Sequence, residues 1–160
     1  MKAFISLLLL LSLTTACASG PSKSDLDAEV KRLCAIDGGI KVYETVTLPA
    51  DKFNQWGQIN FYRPNQGENA LGAGYVFKQE THWYKKGKDY TFESSMGRWR
   101  FAVIRQPDGK LLGESVSYGR GGGDLPGPWH PSSISCPENN VAGPNALLRA
   151  VFINSNVRGE

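Results

Sequence analysis

The chain has 160 residues, with 18 basic against 15 acidic side chains, a formal charge of +3 and 41% hydrophobic residues. That length is enough for one domain with a real core and too little for two comfortable ones. A balance so close to neutral excludes the broad basic field on which nucleic-acid binding rests.

Lys2 is followed by an apolar run from Ala3 to Leu13 that includes the consecutive leucines Leu7 to Leu11. The run is too short to span a bilayer stably and has the make-up of a secretory leader. It ends in Leu13, Thr14, Thr15, Ala16 and Cys17, where a cysteine after small residues is the expected lipid attachment point of a bacterial lipoprotein. Thr14 stands where leucine is usual in such a signal. Ala16, Cys17 and Ala18 also satisfy the small-x-small rule for ordinary cleavage after Ala18, which would discard the cysteine. The lipoprotein reading divides the chain into a signal peptide (1–16), a lipidated tether (17–23) and a single globular α+β domain (24–160). Because Ala18 rather than Asp follows the cysteine, it places the domain on the periplasmic face of the outer membrane, with the membrane as partner through the anchor. The other cleavage leaves a protein secreted to the periplasm. Cys34 and Cys136 remain as an even pair in an exported chain, and a disulfide between them is expected, with two separate buried thiols as the alternative.

Ser24 reads as a helix cap, with Asp25 and Asp27 in the first turn and Leu26, Val30 and Leu33 on one face; Gly38 and Gly39 end the helix. Ile40 to Leu48 alternates as a strand that Pro49 stops. Ala50 to Trp56 fits a helical turn, Gln58 to Tyr62 a short strand, and Asn65 to Gly74 a polar loop. Tyr75 to Tyr84 is a long strand with Tyr75, Phe77, Gln79, Thr81 and Trp83 on one face. Lys85 to Lys88 form a turn, and Tyr90 to Ser94 a further strand. Arg98 to Arg105 and Lys110 to Tyr118 flank Gln106, Pro107, Asp108 and Gly109, the clearest hairpin turn in the chain. Gly119 to Pro137 holds five glycines and four prolines, a density expected to be irregular. Ala146 to Ile153 is an apolar run that is either a short helix or a closing strand, with Val151, Phe152 and Ile153 favouring the strand. The expected fold is therefore α+β: an N-terminal helix packed on a mainly antiparallel sheet of about six or seven strands, with one disulfide.

Chemistry is sparse. His82 and His130 have no metal partner at a recognisable spacing, and neither a metal nor a cofactor is expected. The segment Arg120, Gly121, Gly122, Gly123, Asp124, together with His130, is the candidate ligand-binding loop. Its glycines would let successive amides converge on an anion, with Arg120 adding charge. It lacks the lysine and Ser/Thr of a phosphate-binding Walker loop and is no dinucleotide fingerprint. Ser132 or Ser133 with His130 and Asp124 lacks the nucleophile-elbow sequence of a hydrolase, and no catalytic residue is assigned. Lys78, Lys85, Lys86, Lys88, Arg98, Arg100 and Arg105, interleaved with Trp83, Tyr84, Tyr90, Phe92, Trp99 and Phe101, form a basic and aromatic surface. On an exported protein it would meet an envelope protein, an anionic lipid or a glycan rather than nucleic acid. The same residues also fit core aromatics alternating with solvated lysines.

Lys41 to Pro49 (KVYETVTLP), Ile59 to Pro64 (INFYRP) and Gly119 to Pro137 (GRGGGDLPGPWHPSSISCP) resemble the corresponding stretches of small uncharacterised proteobacterial lipoproteins. The resemblance covers most of the chain after the leader and implies an envelope location; it carries no activity, cofactor or catalytic residue. The expectation is a non-enzymatic envelope lipoprotein that binds or modulates another envelope component. The alternative is a small enzyme with a site built from Arg120, Asp124 and His130.

Overall fold

The structure, a computed structural model, describes residues 20–87, 93–125, 127–128 and 130–158. Helix α1 runs Lys23–Asp37. Its cap is Ser22 rather than Ser24: the Ser22 hydroxyl accepts from the Asp25 amide at 3.2 Å, and the Asp25 carboxylate accepts from the Ser22 amide at 2.9 Å. This reciprocal box satisfies two amides that the first turn would leave orphaned, and it uses the acidic residue three positions after the serine; the equivalent residue for Ser24, Asp27, is taken by Arg120 instead. Leu26, Val30 and Cys34 form the buried stripe. The helix ends where Gly38 donates its amide to Cys34 O at 2.8 Å, so close that a Cβ on Gly38 would stand 2.6 Å from that oxygen.

The expected strand from Ile40 to Leu48 is two strands, β1 (Gly39–Val42) and β2 (Val46–Leu48). Between them the amides of Tyr43 and Glu44 both donate to Leu112 O, at 2.8 and 3.0 Å. Two donors on one acceptor break the ladder and turn the chain away. Ala50–Lys52 is the expected helical turn, of 3-10 type. Gln58 to Tyr62 is not a strand, with only Ile59 bridging Phe53. Asn54 holds this segment in a local turn, its side-chain oxygen accepting from the amides of Trp56 (3.0 Å) and Gln58 (2.9 Å), and local side-chain bonds of this kind compete with sheet pairing. Within the expected polar loop, Pro64–Asn69 adds a further 3-10 segment.

Three long strands make the platform: β3 (Tyr75–Lys85), β4 (Ser95–Arg105) and β5 (Leu111–Gly121). They pair antiparallel in sequence order, with the expected turn at Gln106 to Gly109 between β4 and β5. The strand expected at Tyr90 to Ser94 falls mostly outside the described residues, and β4 begins at Ser95 rather than Arg98. The region expected to be irregular from Gly119 starts instead as the last part of β5, and its far end is β6 (Ser133–Cys136), which pairs with β5. The chain leaves the ladder only at Gly122 and Gly123, whose φ values of +74° and +81° favour glycine. Strands β1 and β6 share the outer edge of β5, β1 along Gly113 to Val116 and β6 along Tyr118 to Gly121.

After β6 come α2 (Asn139–Ala142), α3 (Pro144–Val151) and β7 (Phe152–Asn154). The run expected as a strand from Ala146 is thus helical up to Val151. Pro144 presets the first turn, and Leu147, Leu148 and Val151 share one buried face. Only the last residues become a strand, which pairs parallel with β2. The α+β architecture holds: a five-stranded antiparallel sheet, a two-stranded parallel one and an N-terminal helix on the larger sheet.

The two faces of the large sheet carry separate cores. On one, Met96, Val116 and Tyr118 pack under Leu26, Val30 and Cys34 of α1. On the other, Phe77, Val103 and Leu112 pack under Leu147, Leu148, Val151 and Phe152. Gly113 lets α3 settle directly on the backbone, since a Cβ there would stand 2.7 Å from Val151 Cγ2. Cys34 and Cys136 are bonded, tying the last turn of α1 to β6 across 102 residues of chain. Closing a loop of that size removes denatured-state entropy worth roughly 4–5 kcal/mol. Reduction, or Cys136→Ser, is expected to lower the unfolding free energy by about that amount, read from urea denaturation with and without reductant.

Candidate functional site

Cys17 lies outside the described residues. The glycine-rich candidate loop is described in most of its positions, and its charged residues are engaged with one another. Arg120 projects from β5 under the first turns of α1 and is 4% exposed. Its Nε and Nη2 donate to the two oxygens of Asp27 at 2.7 and 3.0 Å, while Nη1 donates to Gly122 O, Ser132 O and Ser132 Oγ at 3.0, 2.8 and 2.9 Å. Asp124 accepts from Lys23 Nζ at 2.5 Å, from the Ser132 amide at 2.6 Å and from Ser132 Oγ at 3.0 Å. Two cations and two carboxylates close the cluster electrically, so an incoming anion would meet acceptors already seated on the donors. Gly122 turns its own amide to Ser132 O at 3.0 Å. Gly121 is still in the strand, and a Cβ on Gly123 would meet Ser94 Cβ at 2.9 Å. His130 is exposed and makes no hydrogen bond or ring contact with Arg120 or Asp124 among the described residues. The structure therefore brings Arg120 and Asp124 together through Ser132 and leaves His130 out. What they build is a clamp between α1 and the connection from β5 to β6.

The arginines of the basic surface are similarly spoken for, while Lys78 and Lys86 make no ion pair among the described residues. Arg98 donates to Asp37 and to the Tyr118 hydroxyl, both at 3.2 Å. Burial first, then its own 2.6 Å bond to Asp37, pushes Tyr118 up to about 12. Arg100 bridges Glu114 (2.7 Å) and Glu80 (3.0 Å), and Arg105 pairs with Asp108 (2.7 Å) and with Glu44. Arg98 and Arg100 are neutralised on one face of the sheet, Arg105 is neutralised at the end of the strand by Asp108 and Glu44, and Lys85 turns to Ser94 Oγ at 2.8 Å. Lys88 lies outside the described residues.

The unfilled space is elsewhere. On the face opposite α1, beyond the reach of α3, lies an open groove of about 640 Å³. Its floor alternates Ser117, Gly119 and Gly121 along β5, next to Ser95, Trp99 and Phe101 of β4. Trp83 stands on the β3 side, and Ser133, Ser135, Asn139 and Pro144 line the β6 and α3 side. The glycines are what let the indoles lie down: a Cβ on Gly119 would stand 3.0 Å from Trp99 Cζ3, and one on Gly97 3.1 Å from Trp83 Cε3. Each tryptophan leans across a bare position on the neighbouring strand, and the two rings meet edge to face at 5.6 Å. Trp83 remains 39% exposed.

Of the polar groups of the groove, Ser95 Oγ accepts from the Gly87 amide at 3.0 Å, and Ser133, Ser135 and Asn139 are exposed to solvent. Two residues along the same face, Ser115 donates to Ala142 O at 2.5 Å, held down by α2. Ser117, only 6% exposed, has no hydrogen-bond partner for its hydroxyl among the described residues. The side chains of Ser133, Ser135 and Asn139 also have none. An apolar occupant would strand the Ser117 hydroxyl at a cost of about 1–3 kcal/mol. Among the described residues that line the groove no charged side chain faces it, because Arg120 leaves β5 on the opposite side, toward Asp27. Sequence reasoning placed Trp83 and Trp99 in a basic surface and missed this groove. The signal was the alternation Ser115, Ser117, Gly119, Gly121, which strips one face of a strand of bulk while the other carries Val116, Tyr118 and Arg120.

Comparison of the chain with family models, with curated proteins and with solved structures gives no match in any of the three.

Two outcomes follow from the clamp. Arg120→Met leaves Asp27 and Ser132 without their partner under α1 and is expected to cost about 3–5 kcal/mol of stability in urea denaturation. The Lys23 ammonium, and then the Ser132 amide, hold Asp124 down at about 2. Since that lies below the unfolded value of about 4, its contribution is complete above pH 4 and is lost as pH falls toward 2. Acid unfolding of Asp124→Asn is expected to show a shallower dependence on pH across that window than the parent chain.

Proposed function

We propose that this chain is an envelope lipoprotein, held through a lipidated Cys17 at the periplasmic face of the outer membrane, whose folded body is a non-enzymatic binding module. The groove over β4 and β5 carries the binding part of this reading. It combines exposed aromatic surface with hydrogen-bonding groups, and the titratable side chains of the strand beneath it, Tyr118 and Arg120, leave on the opposite face and are committed to Asp37 and Asp27. A site that must move protons needs an acid or base free to meet its substrate. The Cys34–Cys136 bond supports an oxidising compartment. The leader ending at Cys17, with Ala18 after it, supports the anchor. No helix among the described residues is long and apolar enough to cross a membrane, so the lipid would carry the attachment. The enzymatic alternative at Arg120, Asp124 and His130 gains no support from a cluster whose first two members neutralise their own neighbours.

The anchor is tested by fractionation. The parent chain is expected in the membrane pellet, released by detergent, and Cys17→Ala in the soluble fraction; membrane association unchanged by the substitution removes the anchor.

A further inference from the structure

We propose that the groove is a binding site for a short neutral oligosaccharide. This rests on the reading of the domain as a binding module and names the ligand class of that surface. A sugar ring offers an apolar face of C–H groups on one side and a rim of hydroxyls that both donate and accept. The groove presents the complement: the exposed indole of Trp83 beside Trp99, and facing them the idle hydroxyls of Ser117, Ser133 and Ser135 with the Asn139 amide. Ser117 is the sharpest pointer, a polar side chain 6% exposed, on the floor, with no partner among the described residues. Its neighbour on the same face, Ser115, is fully buried and bonded to Ala142 O.

Charge decides against other occupants. An acidic glycan or a lipid phosphate needs a free cation, and the one cationic residue among those lining the groove, Arg120, turns its side chain to the other face and is closed on Asp27. An acyl chain would use the indoles and leave every hydroxyl stranded. At about 640 Å³ the groove is within the range of small-molecule sites, mostly apolar with a few placed polar groups.

Gly121 gives a clean way to block it. The residue lines the groove, its φ is not positive, and a Cβ built on it meets nothing within 4 Å. Gly121→Leu therefore fills the groove with no clash at its Cβ, and an unchanged thermal midpoint checks that the fold is intact. The full chain, extracted in a polyoxyethylene-ether detergent to avoid sugar headgroups, is titrated with maltotriose, cellotriose, tri-N-acetylchitotriose and trigalacturonate, reading heat and tryptophan emission. At least one neutral trisaccharide is expected to bind and shift the emission, with trigalacturonate weaker. Trp83→Ala and Gly121→Leu are each expected to weaken binding by about tenfold or more. Failure of every neutral trisaccharide, preference for trigalacturonate, or binding indifferent to Gly121→Leu in a folded protein overturns the proposal. Release of Cys17→Ala from the membrane with no sugar bound removes the ligand and leaves the anchor. A parent chain that binds sugar yet fractionates as soluble does the reverse.

Discussion

Two helices have to cover two faces of a sheet that is longer than either of them. The three central strands have eleven residues each, about 36 Å at 3.3 Å per residue, whereas the eight residues of α3 rise only about 12 Å and the fifteen of α1 about 22 Å. Each face is therefore covered in part, and the helices are placed at opposite ends. The bond from Cys34 to Cys136 and the Arg120–Asp27 pair fix α1 over the end of β5 that meets β6. Gly113 seats α3 on the other face at the other end. Two quadrants stay open, and everything of functional interest in the described residues is a solution for one of them.

The solutions differ in chemistry. Beyond α1, the open quadrant is closed by charge: Arg98 and Arg100 with Asp37, Glu80 and Glu114 lay a polar lattice over the backbone, reinforced by the Tyr43 hydroxyl donating to Glu114 at 2.6 Å. Exposed pairs of this kind add little stability one by one, but they keep a flat sheet face soluble and spare it from sticking to another. Beyond α3, the quadrant is left with glycine, serine and two recumbent indoles, and nothing among the described residues covers it. The contrast gives the groove its meaning: an uncovered apolar face is costly to keep, and the same sheet shows how readily it is masked when masking is all that is needed.

Much of this was legible in the chain. The helix from the first residues of the domain, the long strand from Tyr75 and the hairpin at Gln106 to Gly109 follow from periodicity and turn chemistry. The errors share one cause, that a residue's local meaning is set by a partner distant in sequence. Gly119 and Gly121 read as a loop because glycine usually punctuates, and only Trp99, on the strand opposite, gives them a place in a ladder. Ala146 to Ile153 read as either a helix or a strand, the strand favoured because β-branched residues cluster at its end, while Pro144 and the Leu147, Leu148, Val151 stripe organise all but its last residues as a helix. Arg120 read as a free cation because Asp27 is 93 residues away. The groove was hidden for the same reason: its floor, walls and rim come from four strands and a helix start, and no single stretch announces it.

The capping box at Ser22 has a mechanical consequence. Because the helix is locked from there on, a chain held at Cys17 hangs on a leash of four residues, and even fully drawn out the span from Cys17 to Ser22 stays under about 18 Å. That is half the length of the strands it carries. Such a domain is a fixture on its membrane, not an arm that sweeps the space above it. Lys23, next along the helix, is bonded to Asp124, three residues beyond Gly121 on the groove floor. On a chain anchored at Cys17 the groove would be mounted at the moored end, and its occupant would have to descend to the bilayer to be caught.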